Sequence, residues 1–144
     1  MKCVTFCGHG EIHGENELKE WLERTVEDLI KNGAEIFLLG GYGRFDSMAA
    51  LTVWDLKKRY PHIKSTLVVP YLDRKYPSKY YDDTLYPSLE NVPKRFAISK
   101  RNEWMVNEAD VVVAYVIHSW GGAAKTLEYA ERKKKKIINF KDRT

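Results

Sequence analysis

The chain has 144 residues, 44% of them hydrophobic and 31% charged, with a net charge of +4 and a pI near 9.0. That length supports one domain with its own core, and no apolar run reaches the ~20 residues of a membrane span. Five positive charges fall in the single run Arg132–Lys136, and without them the balance is −1; a basic run closing a helix complements its dipole and, lacking interleaved aromatics, gives no reason to expect nucleic acid as partner.

The opening MKCVTFCGHG reaches glycine too soon for a secretory leader, so Lys2–Cys7 reads as the first strand of a cytoplasmic protein. Cys3 and Cys7 stand four apart, on one side of that strand. This is neither a redox pair nor a zinc spacing, so both read as small buried hydrophobes in a reducing compartment. Leu18, Trp21, Leu22, Val26, Leu29 and Ile30 recur at three and four, predicting an amphipathic helix that stops near Asn32-Gly33. Glu35–Leu39 is the second strand. Phe45, Met48, Ala49, Thr52, Val53 and Leu56 predict the second helix, ending before Pro61. Ser65–Val69 is the third strand. A helix from about Pro93 to Glu108, an unalternating apolar strand Val111–Val116, a helix from about Ala123 to Lys133 and a strand Ile137–Phe140 complete the chain. The expected fold is a single α/β domain: an open, mostly parallel five-stranded sheet with helices on both faces.

One segment breaks the rhythm. Residues 70–93 hold four of the five prolines and five of the nine tyrosines. So long a connection suggests a lid, and its aromatics suggest that the lid is packed. At least one of Tyr71, Tyr76, Tyr80, Tyr81 and Tyr86 is expected to line the ligand pocket.

In a parallel sheet every strand-to-helix loop lies at the carboxyl edge, where ligands bind. Three such loops are rich in glycine: GHGEIHGEN, GGYGRFDS and HSWGGAAKT. Glycine admits a ligand to the backbone, and the helix that follows offers free N–H groups and a positive dipole end. Together they favour a phosphorylated, nucleotide-like ligand. A Walker A motif needs Gly where Ser119 and Ala124 stand, and Gly40, Gly41 and Gly43 have the wrong spacing for a dinucleotide fingerprint. His9 and His13 are interrupted by glycines and do not suit zinc, Ser119 lacks a nucleophile elbow, and Cys7 has no evident base. No metal and no resident cofactor are expected.

GGYGRFD, KRNEWMVNEADVVVAY and HSWGGAAKTLEYA together resemble the SLOG superfamily, named for its Smf/DprA and LOG branches, and within it the small standalone members of Firmicutes and their mobile elements. The resemblance covers nearly the whole chain. It implies a Rossmann-like domain that binds nucleotides or nucleotide-derived ligands. In the LOG branch, which cleaves the base from nucleoside monophosphates, an arginine before the fourth strand and a glutamate after the glycine loop serve catalysis, and Arg101 and Glu128 match those positions. Other branches sense NAD-derived signals, and the DprA branch binds nucleic acid. Here Trp120 replaces the family proline, AAKT replaces GYGT, and one Glu follows instead of a pair. These departures favour binding over hydrolysis.

The ligand-binding set is therefore Gly8, His9, Gly10, Gly40, Gly41, Gly43, Arg44, Asp46, Arg101, His118, Ser119, Trp120, Gly121, Gly122, Lys125 and Thr126, with Arg101 and Glu128 catalytic only if the protein is an enzyme. Lys125 and Thr126 add a cation and a hydroxyl for a phosphate. Asp46 reads as a dipole partner or a ribose-hydroxyl acceptor, and Trp120 as a stacking platform or packing residue. The expected partner is a nucleotide-derived small molecule of NAD or ADP-ribose type, or a mononucleotide. A homodimer that buries Trp54, Trp104 or Trp120 is also expected, and a membrane partner is not.

Overall fold

The structure, a computed structural model, describes residues 2–143. Strands β1 (Lys2–Gly8), β2 (Ala34–Leu39), β3 (Lys64–Val68), β4 (Asp83–Leu85), β5 (Val111–Tyr115) and β6 (Lys136–Asn139) form one sheet in the order β4-β3-β2-β1-β5-β6. Every neighbouring pair is parallel. All residues of β5 are buried, which is why that strand carries no polar alternation.

Helices α1 (Glu15–Lys31) and α2 (Arg44–Leu56) cover one face of the sheet. The stripe Leu18, Trp21, Leu22, Val26, Leu29 and Ile30 is wholly buried, against Val4, Phe6, Phe37, Val113 and Tyr115. Gly33 ends α1 with a φ of +104°, a conformation that costs other residues a Cβ clash. On the opposite face α3 (Ala97–Glu108) and α4 (Gly122–Arg132) pack Val106, Ala124 and Ala130 onto Val112 and Ala114. Met105 meets Leu38 and Val68 beside them. Pro93 itself is extended, and a short 3₁₀ turn, Lys94–Phe96, precedes α3.

The sheet has six strands rather than the five expected, and the sixth lies inside the Tyr/Pro-rich segment. β4 pairs with β3 in the register Thr66↔Asp83. Only three residues long, it is held by polar side chains instead of an apolar run. Ser65 N–H donates to Asp82 Oδ2 at 2.8 Å, Thr66 Oγ1 to Asp83 Oδ1 at 2.7 Å, and Lys64 pairs with Asp83 at 2.7 Å. Around β4 the tyrosines pack onto the body: Tyr80 meets Trp54 edge-on at 6.1 Å, and Tyr81 rests on the α1/α2 core.

Strand order reverses between β1 and β5. The loops leaving those strands turn to opposite faces, one into α1 and the other into α4, and open a crevice at the carboxyl edge.

Candidate functional site

A cleft of about 480 Å³ occupies that crevice. His9 and Gly10 form one wall, Ile117–His118 and Trp120–Ala123 the other, and Cys7, Asp46 and Arg101 lie at its base. Ile98, Arg101, Asn102 and Met105 reach it from α3 at helical spacing, while Tyr42 and Trp120, 71% and 68% exposed, stand at the rim.

One imidazole ties the two walls together. The backbone N–H of His9 donates to the Tyr115 carbonyl at 3.2 Å, and its ring Nε2 accepts the backbone N–H groups of Ile117 at 2.9 Å and His118 at 3.4 Å. A nitrogen that accepts carries no proton, so His9 is neutral with its proton on Nδ1. Burial, and then the nearby His118, lower its pKa and favour that form. The His9 ring stacks on His118 at 3.7 Å and 12°, and His118 on Trp120 at 3.9 Å and 15°. The column ends in an open indole at the cleft mouth. His118 Nδ1 is buried and has no partner among the described residues.

The base is a charged pair around a glycine. Arg101 is only 2% exposed; its Nη1 donates to the carbonyls of Gly40 at 2.9 Å and Val68 at 2.8 Å, and its Nε to Asn102 Oδ1 at 2.9 Å. Asp46, 8% exposed, has its pKa pushed up to about 6 by burial, against the opposing effects of the Tyr42 N–H, the Arg101 charge and the Gly40 N–H. A Cβ on Gly40 would stand 3.0 Å from Asp46 Oδ2 and 3.2 Å from Arg101 Cζ, so glycine keeps the space between them open. Burial, and then Asp46, push the Cys7 thiol up to about 12, which leaves it protonated and no nucleophile at neutral pH.

Of the residues named from the sequence, Gly8, His9, Gly10, Asp46, Arg101, His118, Trp120, Gly121, Gly122 and Thr126 line the cleft. The others stand elsewhere. Lys125 and Glu128 are exposed on α4 and do not line it, nor does Ser119. Arg44 pairs with Glu15 at 2.9 Å, outside the cleft. Gly41, Gly43 and Gly40 serve the packing beneath it: added Cβ atoms would meet Leu67 at 2.7 Å, the Gly10 backbone at 2.9 Å and the Asp46–Arg101 pair. Gly8 is a mixed case, since it lines the cleft while a Cβ there would stand 2.2 Å from the Phe45 ring. Gly10, Gly121 and Gly122 face open space.

None of the five tyrosines of segment 70–93 lines the cleft. β4 pins the end of the segment at the far edge of the sheet, three strands from β1, while Tyr71 and Tyr76 stay near the Arg101 charge and Tyr81 near Asp46 without lining the cleft. Tyr71 instead donates its hydroxyl to the Lys94 carbonyl at 3.0 Å, and the Tyr76 hydroxyl is buried without a partner among the described residues. The lining residues that sequence reasoning missed include Tyr42, Asn102, Ile98 and Met105. The last three share one face of α3 with Arg101 at spacings of three and four, a signal that was there to be used.

A parallel Rossmann-like sheet with a partly glycine-lined cleft at its switch point defines an α/β domain of the ligand-binding kind. The chain belongs to the YspA SLOG family, whose model (YpsA) matches residues 11–141. It is 27% identical over 139 residues to the uncharacterized SPbeta prophage-derived protein YoqJ of Bacillus subtilis (strain 168), a match covering 81% of each chain. Among solved structures it resembles DNA processing protein A of Helicobacter pylori, described for its single-stranded DNA binding mode, with a TM-score of 0.69 and 19% identity. That match spans 96% of this chain and 64% of the other. The molybdenum cofactor carrier protein of Chlamydomonas reinhardtii is similar at a TM-score of 0.63 and 15% identity, over 96% of this chain and 76% of that one. At such identities these two likenesses establish the fold. No helix among the described residues is long and apolar enough to cross a membrane.

Proposed function

We propose that the cleft captures a nucleotide-derived small molecule, of NAD or ADP-ribose type or a mononucleotide, and holds it without chemistry. The observation that carries this reading is the open face of Trp120 beside the unobstructed glycines that begin α4. A planar base extends the imidazole–indole column, and its phosphate meets the first N–H groups of α4, which have no intrahelical acceptors. The α4 dipole adds to their attraction for an anion.

Hydrolysis of the LOG type is the second reading, and Glu128 weighs against it. The glutamate that would stabilise the sugar cation or activate water stands outside the cleft. Nucleic-acid binding rests on the likeness to DNA processing protein A. The basic run Arg132–Lys136 lies at the C-terminal end of α4, whereas the cleft opens at its N-terminal end. We further propose a homodimer, favoured by the half-buried Trp104, and a cytoplasmic site of action, suited to the free thiols of Cys3 and Cys7.

The test is calorimetric titration of the purified protein with AMP, NAD and ADP-ribose, followed by chromatography of the mixtures. Saturable binding with intact ligand is expected. Released base would establish the hydrolase, and absence of binding to all three would overturn both nucleotide readings.

A further inference from the structure

We propose that Asp46 and Arg101 together recognise a sugar hydroxyl at the base of the cleft, making them the specificity determinant for a ribose over a deoxyribose ligand. This deepens the proposed nucleotide reading and rests on it.

The argument starts from what the two side chains have left to offer. A guanidinium has five N–H donors. Within this protein Nη1 of Arg101 is committed to two carbonyls, of Gly40 and Val68, and Nε to Asn102. Nη2 has no hydrogen-bond partner among the described residues, although Arg101 lines the cleft. Asp46 receives backbone N–H groups, Tyr42 at 3.4 Å and Gly40 beside it, and no side-chain donor. A carboxylate has about four acceptor positions, so acceptor capacity remains. Arg101 acts on Asp46 through its charge and not through a hydrogen bond. The two are held near each other without closing on each other.

The bare Cα of Gly40 lies between them. A side chain there would press on Asp46 Oδ2 and on the guanidinium at 3.0–3.3 Å. The cleft base therefore presents one donor group and one acceptor group with capacity that the protein does not use. A ligand group that meets both gains hydrogen bonds to two charged side chains, which are stronger than neutral ones.

Chemistry decides which ligand group fits. A phosphate offers acceptors only and would meet the Asp46 carboxylate as a like charge. It would also lack the two-pronged arginine fork, because Nη1 and Nε are spent on the protein. A lone ammonium would suit Asp46 and clash with Arg101. A hydroxyl donates and accepts at one atom, so it satisfies both residues at once. The phosphate then belongs at the α4 end of the cleft and the sugar at the base, which fixes the direction in which the nucleotide lies.

The experiment is calorimetric titration with AMP and ADP-ribose, each compared with its 2′-deoxy and 3′-deoxy forms, on the wild-type protein and on Asp46→Asn. Loss of one hydroxyl is expected to weaken wild-type binding roughly tenfold or more, the scale of a buried hydrogen bond to a charged group. In Asp46→Asn the ribose-to-deoxyribose ratio is expected to shrink toward one. The ratio is the readout, so a variant that binds every ligand weakly through poor folding does not imitate the result. If the ribonucleotides bind and both deoxy forms bind equally well, the hydroxyl site is refuted while the nucleotide reading stands. If no ribonucleotide binds, both fall together. A ratio that survives intact in Asp46→Asn removes Asp46 from the site.

Discussion

Gly8 separates two explanations of a glycine that the sequence alone cannot distinguish, and a single methyl group tests them. An alanine Cβ at this position would stand 2.2 Å from Phe45 Cδ2, 2.4 Å from Cγ and 2.8 Å from Cβ. Carbon atoms in a packed core sit about 3.5–4.0 Å apart, so the methyl intrudes by more than about 1 Å. Phe45 has no room to withdraw: it is fully buried, stacks on Tyr115 at 5.9 Å and meets Phe6 edge-on at 6.4 Å. We expect Gly8→Ala to cost about 3 kcal/mol, the upper part of the range for overpacking. At this chain length that lowers Tm by roughly 6–12 °C. Phe45→Ala alone leaves a cavity and costs about 3–5 kcal/mol. In the double variant the contacts with Cδ2 and Cγ are gone while the remaining Cβ still stands 2.8 Å away, so its stability should fall somewhat below Phe45→Ala yet well short of the sum, a coupling of about 1–3 kcal/mol. Urea unfolding of the four proteins, with m-values compared, gives the cycle. Strict additivity, or a Gly8→Ala protein as stable as wild type, would refute the claim that Phe45 is what demands glycine there.

Trp120→Ala should leave stability within about 0.5 kcal/mol because the side chain is largely exposed, yet weaken AMP binding about tenfold, the scale of one base stacked on an aromatic ring; equal affinity in calorimetry would remove the stacking platform. Lys125→Ala and Glu128→Gln should leave AMP affinity unchanged, since neither side chain lines the cleft, and a clear loss in either would return that residue to the site. The folded-state pKa of His9 is lowered, so the unfolded chain takes up the proton first; the stability that neutral His9 provides is full above about 6.5 and is lost as pH falls from there. Urea unfolding at pH 7.5 and 5.5 should therefore show a larger loss on acidification for wild type than for His9→Asn. Asp46 has the opposite sign: its pKa, raised to about 6, gives a contribution present below about 3.8 and lost as pH rises through about 6. Asp46→Asn should remove that fall in stability, and a pH profile identical to wild type would contradict it.

The strands and helices were legible wherever burial dictated residue type. β5 reads as VVVAY because both its faces are covered, and every position of the α1 stripe is buried as its spacing requires. β4 was illegible because aspartates and hydroxyls hold it against β3, and such bonds leave no hydrophobic period in Asp83–Leu85. The site was legible as a set of loops but not as a geometry. The second glycine loop looked like a ligand cradle, yet its glycines make room for Leu67, for the Gly10 backbone and for the Asp46–Arg101 pair. A glycine vacated for a distant side chain and one vacated for a ligand are the same letter. His9 and His118 were both picked out, but nothing local announces that one accepts the backbone of the other's loop. Arg101 came from the resemblance, and only the fold reveals how much of its guanidinium the protein itself has already used.

The bond from Ile117 to His9 spans 108 positions, and that from His13 to Tyr115 spans 102. A chain emerging from the ribosome N-terminus first can therefore pair β1 with β2 and β2 with β3, and dock α1 and α2, while β5 is still unmade. During that interval β1 offers a bare edge to any neighbouring strand. Closing loops of such length is the slow, entropically costly part of assembly, so the β1–β5 pairing comes late. The cleft is completed only in that late step, because its second wall follows β5. A nascent chain that has made only β1 to β3 already has α1 and α2 but lacks the Ile117–Thr126 wall of the cleft.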